Sequence, residues 1–221
     1  MVKNGCLIVA MSLLVTTNSF SQERDFSRWE PEIQAFERSD AKSPPAQQGV
    51  LFVGSSSIRF WDLPKYFPEC KYINRGFGGS HIVDSIHFSD RIIFNYQPRT
   101  IVFYAGDNDI TDGKAPEEVE NDFRRLVEVV HKHLPKTRIV FIAIKPSINR
   151  WKLADRMKAA NELIAAFCSS DDRLSFLDIW KPMLGKNGRP RSELFVEDGL
   201  HLSHAGYQLW TELVGHYLRI N

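Results

Sequence analysis

Five short runs of β-type residues, separated by segments whose apolar residues recur at helical spacing, restrict this chain to few architectures. The runs are Val50 to Val53, Lys71 to Ile73, Thr100 to Tyr104, Arg138 to Ala143 and Leu174 to Leu177. Between them, Val119, Phe123, Leu126, Val127 and Val130 share one helical face, as do Leu153, Met157, Ala160, Ile164 and Phe167. A last helix is marked by Ser203 as its cap and by Tyr207, Trp210, Val214 and Tyr217 on one side. Strands that alternate with helices imply crossover connections, hence an α/β layered domain on a parallel sheet.

The first segment is set apart from that pattern. Lys3 precedes an apolar run from Leu7 to Val15 and a small, polar stretch ending Ser19-Phe20-Ser21, so residues 1–21 are expected to be a signal peptide and the protein to be exported, periplasmic or extracellular. The alternative is a retained N-terminal anchor. The run is shorter than the roughly 20 residues of a spanning helix, and the mature chain offers no transmembrane segment. Residues 22–48 read as an N-terminal helix, marked by Phe26, Trp29, Ile33 and Phe36, and a linker from Ser39 to Gln48 carrying Pro44-Pro45. Residues 49–221 carry the sheet.

Loss of Lys3 leaves 27 basic residues (28 less one) against 27 acidic ones, so no basic face is implied and nucleic acid is not an expected partner. Cys70 and Cys168 remain, without framework or metal-ligand spacing, and are read as buried free thiols rather than a pair.

Four segments carry the chemistry. They are Gly54-Ser55-Ser56-Ser57-Ile58, Asn74-Arg75-Gly76-Phe77-Gly78-Gly79, Gly106-Asp107-Asn108-Asp109 and Asp198-Gly199-Leu200-His201. The first three follow the first three strands, and the fourth precedes the last helix. In open parallel sheets ligands bind beyond the carboxyl ends of the strands, so all four can meet at one edge. A serine needs a base within hydrogen-bonding reach and a third group that holds the base. His201 fits the base, and Asp198 fits the holder. Negative charge on a tetrahedral oxygen needs fixed donors, for which the Ser56 and Gly79 N–H groups and the Asn108 amide are suited.

Other readings of these segments are weaker. Gly76-Phe77-Gly78-Gly79 lacks dinucleotide-loop spacing, and a cation site at Asp107 and Asp109 lacks enough oxygen ligands; the two aspartates are expected to shape the loop presenting Asn108. His204 rivals His201, but the Asp-x-x-His spacing favours His201. No Gly-x-Ser-x-Gly elbow occurs.

With these residues in this order, the chain resembles the SGNH hydrolases, also called GDSL-type esterases and lipases. The resemblance implies Ser56, Gly79, Asn108 and His201 as the four name-giving residues, with Asp198 completing the triad. Val50-Leu51-Phe52-Val53-Gly54 and Asn74-Arg75-Gly76-Phe77-Gly78-Gly79 look most like the branch holding platelet-activating-factor acetylhydrolase catalytic subunits and bacterial secreted relatives. It implies a three-layer α/β/α flavodoxin-like sandwich with a five-stranded parallel sheet, an SGNH hydrolase domain over residues 49–221, and no metal or organic cofactor. One departure is Ser55, where the family motif has aspartate. Counting two residues from Gly54 selects Ser56 among three adjacent serines; Ser55 and Ser57 are expected to cap the following helix or bind backbone.

The segments between strands are short and contain no long apolar insertion for a lid or acyl tunnel. This favours a small acyl group, such as acetyl on a sugar or glycan, as the ester substrate. Phe60, Trp61, Phe77, Trp151 and Phe195 are candidates to line the cleft, against ordinary core packing. Lipid-ester or lysophospholipid cleavage is the competing reaction, and a non-catalytic glycan-binding protein is the competing class.

Overall fold

Structure is described for residues 24–220 of a computed structural model, so the expected signal peptide lies outside the described residues. In chain order the elements are α1 (Glu30–Lys42), β1 (Val50–Gly54), α2 (Ser56–Arg59), α3 (Leu63–Tyr66), β2 (Ile73–Gly76), α4 (Ile82–His87) and α5 (Ser89–Ile92). They continue with β3 (Thr100–Tyr104), α6 (Asp107–Thr111), α7 (Pro116–His133), β4 (Arg138–Ile142), α8 (Ala154–Cys168), β5 (Leu174–Leu177) and α9 (His204–Ile220).

Local chemistry sets the helix ends. Helix α7 opens with Pro116, whose missing N–H costs nothing at a first turn, and with Glu117 and Glu118 at the positive end of the dipole. It closes on His131, Lys132 and His133 at the negative end. The Ser203 hydroxyl accepts the Gly206 N–H at 3.2 Å, capping α9 as its position suggests.

All strand pairs are parallel, in the order β2-β1-β3-β4-β5. The period of two along each strand sorts side chains between two cores. Leu51, Val53, Ile101, Phe103, Ile139 and Phe141 pack on one face with Ile33 of α1, Val119 and Phe123 of α7, and Met157 and Ile164 of α8. Val50, Phe52, Val102, Tyr104 and Ile142 pack on the other with Leu63 of α3 and Tyr207, Trp210 and Val214 of α9. The result is a three-layer, flavodoxin-like sandwich. Winding reverses between β1 and β3, so the open crevice lies at the carboxyl ends of those two strands.

Two expectations need correction. The second strand begins at Ile73 and runs through Asn74-Arg75-Gly76, where turn-forming residues suggested a loop. Its register continues from Leu51↔Ile73 to Gly54↔Gly76, and Arg75 is buried because it is satisfied by the Tyr96 hydroxyl, the Asn74 carbonyl and the Asp40 carboxylate. The linker is shorter than Ser39 to Gln48, since α1 extends to Lys42 and Asp40 on it takes bonds from Arg75 and Tyr96. Long-range pairing thus decides both boundaries.

Cys70 and Cys168 are both free, but only Cys168 is buried; Cys70 is half-exposed. Burial pushes the Cys168 thiol up to about 12. Among the described residues no helix is long and apolar enough to cross a membrane.

Candidate active site

Strand β1 ends at Gly54, which no other residue could replace without moving the backbone. Its φ is +140°, and a Cβ there would lie 1.9 Å from the Tyr104 carbonyl oxygen of β3. The chain turns at once into α2, so Ser56 stands on the first turn of a helix at the switch point. First-turn N–H groups have no acceptor within their own helix, so the Ser56 N–H is not used by α2.

Three distant elements brace this turn. The Asn74 amide of β2 donates to the Ile58 and Trp61 carbonyls at 2.7 and 3.0 Å. The Tyr207 hydroxyl of α9 donates to the Ser57 carbonyl at 3.0 Å. Lys145, just after β4, donates to the Ser57 hydroxyl at 3.2 Å. The turn that carries Ser56 is therefore held from the β2 side and the β4 side of β1.

The Ser56 Oγ lies 3.0 Å from Nε2 of His201. On the other side of the ring, Nδ1 is 2.5 Å from Oδ2 of Asp198. The remaining oxygen of Asp198 accepts the N–H groups of Leu200 and His201 at 2.8 and 2.9 Å. Asp198 and His201 thus hold each other within a single turn, which Asn149 steadies from outside by donating to the Gly199 and Asp198 carbonyls at 3.0 and 3.2 Å. Burial would raise the Asp198 carboxyl, but those two N–H donors and the imidazole outweigh it and hold the group at about 2. His204 is not brought to Ser56; its Nδ1 pairs with the Tyr66 hydroxyl at 2.8 Å.

The third and second segments meet beside this array. Gly79 has φ +71°, in the region that favours glycine. The next residue, Ser80, accepts a 3.0 Å bond at its carbonyl from Nδ2 of Asn108, tying this segment to the start of α6. Asp107 and Asp109 are both buried, and they flank Asn108 on the first turn of α6 rather than on the expected loop. Asp107 pairs with Lys145 at 3.0 Å and Arg150 at 3.1 Å; Asp109 pairs with Lys114 at 2.8 Å. Burial raises the Asp107 carboxyl, yet the two cations beside it hold it below the usual range. With only Lys114 and His81 to oppose burial, Asp109 is raised instead.

The neighbouring serines behave otherwise than expected. Ser55 occupies the cap position of α2 without a side-chain cap bond, and the Ser57 hydroxyl meets Lys145 rather than backbone. Of the aromatic candidates, Trp61 and Phe77 are 1% and 0% exposed and pack the two cores instead of a cleft. The Trp61 indole packs edge-on to Phe52 and Trp210 and tilted against Tyr207, and Phe77 packs edge-on to Trp29 and Phe88. Phe195 is also buried, and Trp151 is half-buried 6.3 Å from the Trp180 ring. Phe60 is 52% exposed, with its ring edge-on to His201 at 5.1 Å.

Four residues of this region escape sequence reasoning. Lys145 and Arg150 lie behind Asn108 and Ser57, and the single hint was a lysine closing the apolar run Ile139 to Ile144. Ile148 and Val196 are exposed apolar side chains on the loops around the Asp198–His201 turn, and nothing in their spacing marks them. Among the described residues no group of three His, Cys, Asp or Glu side chains is placed to hold a metal ion.

A parallel α/β sandwich that presents a hydrogen-bonded serine, histidine and aspartate at its switch point defines a class of fold and site found in hydrolases. The profile of the GDSL-like Lipase/Acylhydrolase family matches residues 61–209, and this chain belongs to that family. It is accordingly a hydrolase of ester substrates. The match begins after Ser56, so the role of that serine is argued from geometry. The chain is similar to the human platelet-activating factor acetylhydrolase IB subunit alpha1, at 25% identity over 175 residues, covering 76% of this chain and 74% of that one. Among solved structures it is similar to a Bacteroides fragilis protein assigned as an acylhydrolase, with TM-score 0.74, 20% identity and coverage of 89% and 98%. An acetyl-xylooligosaccharide esterase from Geobacillus Stearmophilus aligns with TM-score 0.62 at 15% identity, covering 78% of this chain and 94% of that one.

Proposed function

We propose that this chain is an exported serine esterase that removes a small acyl group, acetyl above all, through an acyl-enzyme intermediate. The observation that carries the reading is the unbroken line from Ser56 Oγ through His201 to Asp198, at 3.0 and 2.5 Å. Ser56 Oγ attacks the ester carbonyl carbon while His201 Nε2 takes its proton. The carbonyl oxygen becomes an anion, received by the Ser56 and Gly79 N–H groups and the free proton of the Asn108 amide. Collapse expels the alcohol, which leaves with the proton from His201. Water then enters, gives a proton to His201 and its oxygen to the acyl carbon, and Ser56 is released with the carboxylic acid. Asp198 fixes the ring tautomer and stabilises the imidazolium in both steps. None of these steps calls on a cofactor.

What supports a small acyl group is that the segments after β1, β2 and β3 are short and that the longer ones after β4 and β5 contain no long apolar insertion. Two of the similar proteins are named for acetyl groups, one as a platelet-activating factor acetylhydrolase and one as an acetyl-xylooligosaccharide esterase. A sugar or glycan acetate is the favoured substrate for an exported protein. The exposed Phe60, Ile148 and Val196 favour a second reading, in which the alcohol is a lipid that lies along an apolar rim.

A panel of aryl acetate, aryl decanoate, acetylated xylo-oligosaccharide and an acetylated or long-chain lysolipid tests the reading. The expected order places acetates above the decanoate in kcat/KM by about tenfold or more, since each misplaced methylene costs roughly 1–3 kcal/mol. Preference for long chains with no action on acetates overturns it.

A further inference from the structure

The amide of Asn108 has two ends, and both are spoken for by neighbours. Its Nδ2 gives one proton to the Ser80 carbonyl at 3.0 Å, which leaves the other for an oxyanion. Its Oδ1 accepts from Nη2 of Arg150 at 2.9 Å. A flipped amide would set its NH₂ against the guanidinium and its oxygen against the Ser80 carbonyl, two mismatches at once. Arg150 therefore selects the orientation in which a donor faces the crevice. A carboxamide whose oxygen accepts a charged hydrogen bond is also polarised, so its N–H donates more strongly.

Arg150 is itself placed by a buried charge cluster. Its Nη1 lies 3.1 Å from Oδ2 of Asp107, and the same oxygen is 3.0 Å from Nζ of Lys145, whose side chain is 1% exposed. Lys145 is seated because Asn161 on α8 clamps the preceding residue, with Oδ1 accepting the Ile144 N–H at 2.8 Å and Nδ2 donating to its carbonyl at 2.9 Å. The other groups that face Lys145 are the Ser57 and Tyr104 hydroxyls, at 3.2 and 3.1 Å. One carboxylate thus answers two cations. The excess positive charge behind Asn108 is what a developing anion would find already in place, without reorganisation.

We propose that Arg150 is a positioning residue that fixes and polarises the Asn108 amide as an oxyanion donor, with Asp107 and Lys145 holding the guanidinium. This rests on the esterase reading above.

The test is a double-mutant cycle with Arg150→Met and Asn108→Ala, read as kcat and KM on an aryl acetate, with Tm recorded for each variant. Arg150→Met is expected to lower kcat about tenfold or more, short of the roughly 10² to 10³ of a lost oxyanion donor, with KM little changed. In the Asn108→Ala background the same substitution should cost less than about twofold, because the partner it acts through is gone. Arg150→Lys, which keeps charge but not the fork, serves as the second variant if Arg150→Met does not fold, and is expected to lose kcat without losing Tm. Additive losses, or a lowered Tm with kcat intact, overturn the proposal. If Asn108→Ala leaves kcat unchanged while Ser56→Ala abolishes turnover, this inference fails and the esterase reading stands. Full turnover in Ser56→Ala removes both.

Discussion

The Asp198–His201 turn and the cluster of Asp107, Lys145 and Arg150 both serve the crevice, yet they are held in opposite ways. The turn faces solvent, with side-chain exposures of 43% for Asp198 and 30% for His201. Its order is mostly local: one carboxylate, two backbone N–H groups and one ring within four residues, with Asn149 reaching in from the loop after β4 to the Asp198 and Gly199 carbonyls. The cluster is 5% exposed at Asp107 and 1% at Lys145, and its members come from the start of α6 after β3 and from the loop after β4. Local order survives at a surface because a short turn needs little entropy to close. Buried charge survives only where the fold supplies every partner. The orientation of the His201 ring at the surface and the buried charge below it therefore divide between a largely local motif and a property of the whole sheet.

Substitutions should separate the two. Asp198→Asn leaves the turn's shape but favours the wrong ring tautomer, and is expected to lower kcat by about 10⁴ while the protein stays folded. The carboxyl of Asp198 sits at about 2, below the ordinary value, so the stability it contributes is present above about pH 4 and is lost as the pH falls towards 2. Denaturant titrations of wild type and Asp198→Asn should accordingly converge across that window. A gap that widens on acidification would contradict the assigned pairing.

Lys145→Met strikes the other region, and its expected effect is mainly on stability. Removing one partner of a buried pair costs about 3 kcal/mol, the lower end of the usual range here because Arg150 remains beside Asp107. Adding Asp107→Asn in the same chain should not recover that loss, because it takes from Arg150 the carboxylate it still pairs with, and chemical denaturation would detect the further drop. If the single substitution is neutral, Lys145 is not paired as described.

The same contrast explains what the sequence reveals. Strand and helix alternation, Ser56, His201 and Asp198 are legible because their constraints are periodic or local. The start of β2 is not, since Asn74 and Gly76 are turn formers that pairing with β1 overrides. Nor is the arrangement of Lys145 and Arg150, whose partners are set by which loops the parallel sheet brings together. Trp61 and Phe77 mislead for another reason: a large ring suits a core as well as a cleft, and only packing decides. Phe60, next in sequence to Trp61, lies just past the end of α2 and is left exposed beside His201.

The most direct measurement is covalent labelling with a serine-directed fluorophosphonate, followed by mapping of the modified peptide. The account predicts stoichiometric modification of Ser56, loss of esterase activity in step with it, and neither labelling nor turnover in Ser56→Ala. Modification of Ser55, Ser57 or a remote serine, or undiminished hydrolysis after Ser56 is blocked, would contradict it.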